Sequence, residues 1–270
     1  MTGQKHKLET IKEQIANKAY PKFAIFLGER GSEQVELCAE VGRQLHATTV
    51  FFGNKVDDIR EMIDTAYSNQ GGTYLYVVQD ADGMSNNAKN AMLKIAEEPP
   101  ENTYIILLLE DIMNTLSTIL SRGRTYILDP YSEKDLNAYC KEQGYRVPKE
   151  IISICSTPGE LDIVVKQDMD EFIKFTKKTF ENIHKVQGAN AFKIAQNVNF
   201  SDDKNKYDLR LFWKLFIYFC YPYLEREGYP EAIKITLQSL RQLKVNGINK
   251  QMLFDLWILD IRECWLDADH

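Results

Sequence analysis

The residues best placed to do chemistry form the stretch Leu27-Gly28-Glu29-Arg30-Gly31-Ser32-Glu33-Gln34-Val35, between an apolar run and an amphipathic one. A glycine-bearing turn from strand into helix is where an α/β protein cradles phosphates. A working loop reads G-x-x-x-x-G-K-[ST]: backbone N–H groups hold the phosphates, Lys reaches the β/γ-phosphates, and the hydroxyl holds Mg²⁺. Counted from Gly28, the second glycine is Glu33, the Lys is Gln34 and the hydroxyl is Val35. All three chemical positions have changed. Glu33 also brings negative charge to a helix start whose dipole favours an anion by only about 1 kcal/mol. The spacing predicts a degenerate loop of Gly28, Gly31, Glu33, Gln34 and Val35, and a plain strand–turn–helix rather than a nucleotide site.

A second place for chemistry is the end of the apolar run Tyr74–Val78, which continues as Gln79-Asp80-Ala81-Asp82. An ATPase puts an acidic Mg²⁺ partner here, followed by a Glu that orients water. Gln79 lacks the anionic oxygen that Mg²⁺ prefers, and Asp80 is a short carboxylate with no metal to work with. Asp80 and Asp82 read as solvated turn residues and helix-approach charges.

Other groups point to no site. His6, His46, His184 and His270 lack metal-ligand spacing, and the five cysteines (Cys38, Cys140, Cys155, Cys220 and Cys264) include no C-x-x-C pair. Neither a zinc ribbon nor a disulfide framework is expected, and no metal site. The serines lack a nucleophile-elbow context. Lys174, Lys177, Lys178, His184 and Lys185 read as a solvated helix face. Phe212-Trp213 and Phe216-Ile217-Tyr218-Phe219 read as a helical core or subunit contact, not a base-stacking platform.

The elements that must position these residues change in kind along the chain. Phe23–Leu27, Thr49–Phe52, Tyr74–Val78 and Tyr104–Leu109 are continuous apolar runs, which suit strands of a parallel sheet covered on both faces. Between them Val35, Cys38, Val41 and Leu45 share one helical face, and Val56, Ile59, Ile63 and Ala66 another. A third helix carries Ala88, Ala91, Met92, Ile95 and Ala96, with Ser85 as N-cap and Pro99-Pro100 as its stop. Alternating strands and helices imply right-handed βαβ units. A helix is predicted over Met113–Leu120. After Pro130 strand signals cease, and short helices are expected at 132–143, 149–155 and 159–165. Longer ones follow at 169–186, 188–197, 207–226, 230–244 and 250–266. The expected organisation is an α/β domain over 1–130 with a parallel sheet, a small three-helix lid over 131–167 and an all-α domain over 168–270.

The 270 residues, 44% hydrophobic and 27% charged, fit a globular protein and exclude collagen-like or wholly disordered chains. A net charge of −6 argues against a freestanding, non-specific nucleic-acid binder, which is usually basic. The first residues lack the apolar core of a signal peptide. The longest apolar run, Leu209 to Leu224, is interrupted by Arg210, Lys214 and Pro222, too short a stretch for a membrane span. A reduced, cytoplasmic protein is expected, with no membrane partner.

The block Asp80-Ala-Asp-Gly-Met-Ser-Asn-Asn-Ala-Lys-Asn-Ala-Met-Leu-Lys-Ile-Ala-Glu-Glu-Pro-Pro100 resembles the signature of bacterial clamp-loader subunits of the AAA+ superfamily. Those proteins carry Asn-Ala-Leu-Leu-Lys-x-Leu-Glu-Glu-Pro-Pro, then an apolar strand and Ser-Arg-Cys. Here Thr103 to Leu109 is the strand, and Ser117-Thr-Ile-Leu-Ser-Arg-Gly123 holds Ser121-Arg122. The likeness covers roughly the first 165 residues. It lacks the zinc module of many relatives, and Gly123 stands where the motif has Cys. The failed phosphate loop points to the non-hydrolysing, delta-prime type within DNA polymerase III.

The resemblance implies a chain that is no enzyme by itself but a component of the DNA-directed DNA polymerase III holoenzyme. It implies a helical collar at 168–270 that mediates hetero-oligomer assembly. It also makes Arg122 an arginine finger acting in trans on the ATP-Mg of a neighbouring subunit. The bland alternative for Arg122 is a surface arginine paired with a carboxylate such as Glu110 or Asp111. A nucleotide-sensing Arg expected after Gly159 falls near Asp162 and is missing. The implied partners are clamp-loader ATPase subunits and a delta-type subunit, with the sliding clamp as a further candidate and primed DNA reached through the complex. Two rival readings are a divergent ATPase that still binds nucleotide through Gly28 and Gly31, and an AAA+-derived adaptor outside replication.

Overall fold

The computed structural model describes residues 3–69, 71–183, 207–243 and 247–268. Five parallel strands, β1 (Phe23–Leu27), β2 (Ala47–Phe52), β3 (Thr73–Val78), β4 (Thr103–Leu109) and β5 (Arg124–Ile127), form one sheet in the order β2-β3-β4-β1-β5. In β1, β3 and β4 the apolar runs are continuous because alternate residues face two separate cores, whereas β2, expected to be buried, is an edge strand with no fully buried residue and Phe51 38% exposed. Ile25, Tyr76, Val78, Ile105 and Leu107 pack with Ile59, Met62, Met92 and Ile95 on one side. Ala24, Phe26, Leu75, Val77, Ile106 and Leu108 pack with Ile11, Leu37, Cys38 and Val41 on the other.

The helices that cover the sheet are α1 (Lys5–Ala16), α2 (Gln34–Gln44), α3 (Val56–Ser68) and α4 (Asn86–Glu97). Ser85 caps α4 as expected, its Oγ accepting the Ala88 N–H at 3.3 Å. Val35, expected on the buried face of α2, is 39% exposed. Cys38 and Val41 are buried as expected, and Leu37 takes the inward place that Val35 does not.

Further elements differ from expectation. β5 gave no sequence signal because it is a four-residue edge strand in which only Tyr126 is buried. The helix predicted over 113–120 is broken. A 3₁₀ turn at Ile112–Asn114, capped by the Asp111 carboxylate at 2.9 Å from the Met113 N–H, ends at extended Thr115. Only Ser117–Leu120 (α5) is helical.

The later helices are α6 (Glu133–Gln143), α7 (Lys149–Ile154), α8 (Pro158–Val165), α9 (Met169–Asn182), α10 (Leu209–Cys220), α11 (Tyr229–Gln242) and α12 (Lys250–Ala268). The predicted helix 188–197 lies outside the described residues. The chain divides into two compact units. One runs to Tyr139 and regains Ser156–Gly159, and the other takes Cys140–Cys155 and the described residues from Glu160 onward. Most of the predicted lid thus groups with the later helices, with α7 packed on α10. In the second unit Phe212, Trp213, Phe216, Phe254 and Trp257 are fully buried, as expected of a helical core. The Trp257 indole N–H donates to Thr236 Oγ1 at 2.9 Å. Among the described residues no helix is long and apolar enough to cross a membrane.

Candidate functional site

β1 lies between β4 and β5, so the loop after it opens at the carboxyl edge of the sheet where the connections change direction. Such crevices hold ligands in open α/β sheets. Here the loop is engaged with its own protein. Gln34, in place of the Lys, directs its side-chain amide inward: Nε2 lies 3.2 Å from the Gly28 carbonyl, 3.2 Å from the Leu109 carbonyl and 3.4 Å from that of Phe26. The amide therefore ties the ends of β1 and β4 together. Glu33 adopts the left-handed conformation (φ 59°) and is buried. Its Oε2 accepts the Tyr131 hydroxyl at 2.8 Å and the Gly3 N–H at 3.4 Å. Burial is the main cause that raises the Tyr131 pKa, and the Glu33 carboxylate adds to it.

The closure is reinforced from two remote segments. Fully buried Gln4 donates to the Asp129 carbonyl at 2.8 Å and accepts the Asp129 N–H at 3.0 Å, fixing the chain beside Tyr131. On the other flank the Gly159 N–H donates to the Gly31 carbonyl at 3.0 Å, and the Thr157 hydroxyl to the Arg30 carbonyl at 2.9 Å. Gly31 has φ +79°, and a Cβ there would sit 2.6 Å from the Gly159 Cα. These residues do not fit Mg²⁺-triphosphate. The donor positions hold a carboxylate and an amide committed to strand carbonyls, and Val35 has no oxygen to offer a metal.

The acidic pair is equally unsuited. Gln79 and Asp80 are exposed, and Asp80 takes a left-handed conformation (φ 47°) with its carbonyl accepting the Asn54 amide at 2.9 Å. Burial raises the half-buried Asp82 carboxyl above the ordinary range. The charges of Asp80 and Asp111 push the same way, against hydrogen bonds from its own N–H and that of Glu110.

Arg122 follows α5 on an exposed turn, its side chain 30% exposed. It pairs with a carboxylate, as the bland alternative has it, but the partner is Glu97 rather than Glu110 or Asp111: Glu97 Oε2 lies 3.1 Å from Nη2. Sequence reasoning passed over Glu97, although it sits inside the Glu-Glu-Pro-Pro block. Gln4 and Tyr131 were also missed, and contacts 98 to 125 residues apart leave no local signal.

The remaining candidates have structural surroundings. Asp162, at the place of the missing sensing Arg, accepts the Tyr145 hydroxyl at 3.1 Å. Burial pushes the thiols of Cys155 and Cys220 up to about 12 and that of Cys38 well above its usual value, so these cysteines are protonated at neutral pH. Among the described residues no group of three His, Cys, Asp or Glu could hold a metal ion. Lys174, Lys177 and Lys178 are exposed on α9, while His184, Lys185 and His270 lie outside the described residues.

Residues 12–132 match the family described as "DNA polymerase III, delta subunit". The DNA polymerase III subunit delta' of Bacillus subtilis is 30% identical over 148 residues, covering 53% of this chain and 45% of that protein. The subunit delta' of Haemophilus influenzae is 32% identical over 100 residues, or 37% and 30% of the two chains. The chain thus spans less than half the length of these relatives. In fold it resembles a DNA polymerase III gamma-subunit-related protein of Thermotoga maritima, with TM-score 0.57, 16% identity and coverage of 95% and 98%. The loop, the Asp80–Pro100 block and the Ser-Arg turn all lie within the matched stretch, and residues 12–132 are therefore similar to DNA polymerase III delta and delta' subunits.

Proposed function

We propose that this chain acts as a non-hydrolysing subunit of a DNA polymerase III clamp loader, a cytoplasmic assembly in which neighbouring ATPase subunits drive loading of the sliding clamp onto primed DNA. The observation that carries this reading is the pairing of a loop closed on its own protein with an arginine left at the surface. Arg122 would meet the ATP-Mg of an adjacent subunit, where a planar, permanently charged guanidinium stabilises charge developing on the transferred phosphoryl group. The chain's own site supplies no such chemistry. The helices from 168 onward would close the ring. Leu237 on α11 and Met252 and Leu256 on α12 are exposed apolar side chains that suit such a contact.

The deciding experiment mixes the chain with a clamp-loader ATPase subunit, a delta-type subunit and the sliding clamp, and follows size-exclusion elution and ATP turnover. Co-elution with DNA- and clamp-stimulated turnover is expected. Absence of assembly would favour an adaptor outside replication. Calorimetry on the isolated chain is expected to show no useful ATP-Mg²⁺ binding, for wild type and for Gln34→Lys alike, since Val35 and Gln79 still leave no metal ligand. Micromolar affinity in the wild type would favour a divergent ATPase.

A further inference from the structure

Arg122 is held at both its base and its tip. At the base, the Arg122 and Gly123 N–H groups both donate to the Ile119 carbonyl, at 3.1 and 3.2 Å. Gly123 is pressed onto the sheet so closely that a Cβ would lie 2.9 Å from Ile25 Cδ1 and 3.0 Å from Phe23 Cδ1. At the tip, Nε and Nη2 both donate to Glu97 Oε2, at 3.3 and 3.1 Å, and Nη1 donates to the Thr118 carbonyl at 2.6 Å. A guanidinium has five N–H groups. Among the described residues three are directed within the chain, which leaves one on each Nη for an outside ligand.

We propose that Glu97 is a positioning residue for Arg122: together with the Thr118 carbonyl it fixes the guanidinium plane and leaves two Nη N–H groups for an anionic phosphate oxygen of a neighbouring subunit. This rests on the reading of Arg122 as acting in trans. A long side chain loses rotamer freedom when it is immobilised at an interface, and holding it beforehand lowers that cost. Glu97 takes the Nε edge, so a phosphate need not displace it. The pair is also exposed, with Glu97 61% accessible, and so is too weak to act as a lock. Glu97 ends α4 just before Pro99-Pro100, and the Glu-Glu-Pro-Pro turn thereby presents a carboxylate to the Ser-Arg turn.

The test uses the full chain assembled with a clamp-loader ATPase subunit and compares wild type, Arg122→Ala, Glu97→Ala, Glu97→Gln and the double alanine variant. Glu97→Ala is expected to lower turnover at saturating ATP roughly two- to fivefold, the size an exposed ion pair supports, with little change in KM for ATP. Glu97→Gln keeps an oxygen acceptor and should fall between wild type and Glu97→Ala. The double variant should be no slower than Arg122→Ala, because Glu97 acts only through Arg122. If Arg122→Ala slows turnover and Glu97→Ala does not, the positioning role is overturned and the trans-acting arginine stands. Faster turnover in Glu97→Ala would make Glu97 a restraint and overturn it too, as would additive losses in the double variant. If Arg122→Ala itself leaves turnover unchanged, the trans-acting reading falls first and the positioning role with it.

Discussion

Two turns of the α/β half carry the residues that chemistry could use, and they are built in contrary ways. In the loop after β1 the side chains that stand where phosphate ligands would be are turned inward: Glu33 to Tyr131, and Gln34 to the carbonyls of β1 and β4. In the turn after α5 the backbone is clamped and the charged group stays at the surface, two of its donors uncommitted among the described residues. A glycine-bearing strand–turn–helix can therefore keep its backbone geometry while its polar side chains are turned to holding the fold together. Retained strand–turn–helix shape says little about binding; the direction of the polar side chains says more.

The largest effect should come from breaking the closed loop at its tightest point. Gly31→Ala puts a Cβ on a left-handed residue, costing about 1–2 kcal/mol, and drives it into the Gly159 backbone at 2.6 Å, adding about 1–3 kcal/mol. Urea unfolding is expected to show a loss of about 3 kcal/mol. A loss below about 1 kcal/mol would mean that the loop and the Thr157–Gly159 segment are not in firm contact.

A smaller loss is expected from Tyr131→Phe, which removes a hydroxyl donor from a buried carboxylate at a cost of about 2 kcal/mol. Replacing Glu33 by Met in the same chain should restore part of that stability, since no buried charge is then left short of a donor. If the double variant is less stable than Tyr131→Phe alone, the Glu33 carboxylate is held chiefly by its other contacts.

How much of this contrast was legible in the sequence follows from the range of the interactions involved. The altered phosphate positions, the strands β1 to β4 and the Ser85 cap depend on residues a few places apart, and each could be read locally. β5 could not, because an edge strand with one buried residue has no continuous apolar run. The break at Thr115 was hidden by apolar Ile112, Met113 and Leu116, which resemble a helical stripe until Asp111 caps a 3₁₀ turn instead. The loss of Lys, hydroxyl and Mg²⁺ ligand was plain, but not where the replacements would point. Gln4 and Tyr131 reach the loop only through the fold. Arg122 was singled out through its motif, and an ion pair with a carboxylate was foreseen, but Glu97 was not named because it is 25 residues away in sequence.

At the other turn, Arg122→Ala should leave stability within about 1 kcal/mol of wild type, as expected for an exposed ion pair. In the assembled complex it should lower DNA- and clamp-stimulated ATP turnover by roughly tenfold or more if it serves one whole site. Arg122→Lys should recover little, because an ammonium lacks the planar fork. A variant that is markedly unstable yet turns over ATP normally would reverse the contrast and make the Ser-Arg turn the structural one.

The smallest effect concerns Asp82, beside the altered acidic site. Burial is the main cause raising its carboxyl pKa, with Asp80 and Asp111 adding repulsion. A folded-state value above the unfolded one, near 3.9, means that the fold binds this proton more tightly than the unfolded chain does. The stability it contributes is therefore complete below the unfolded value and is lost as pH rises through the folded value. Asp82→Asn removes the titration, so thermal unfolding should show the variant gaining on wild type from about pH 3 upward and reaching a plateau once Asp82 is fully ionised. Burial and repulsion separate on adding salt. At about 1 M salt the Debye length shrinks to about 3 Å, which weakens the Asp80 and Asp111 contribution but not the burial contribution. The pH-dependent gain should shrink in salt and persist. If it vanished, repulsion would be the main cause, and Asp82 would be a solvated turn charge after all. If the gain ran the other way, with wild type strengthening as pH rises, the hydrogen bonds from the Asp82 and Glu110 N–H groups would outweigh burial, and this edge of the sheet would be holding a carboxylate rather than suppressing one.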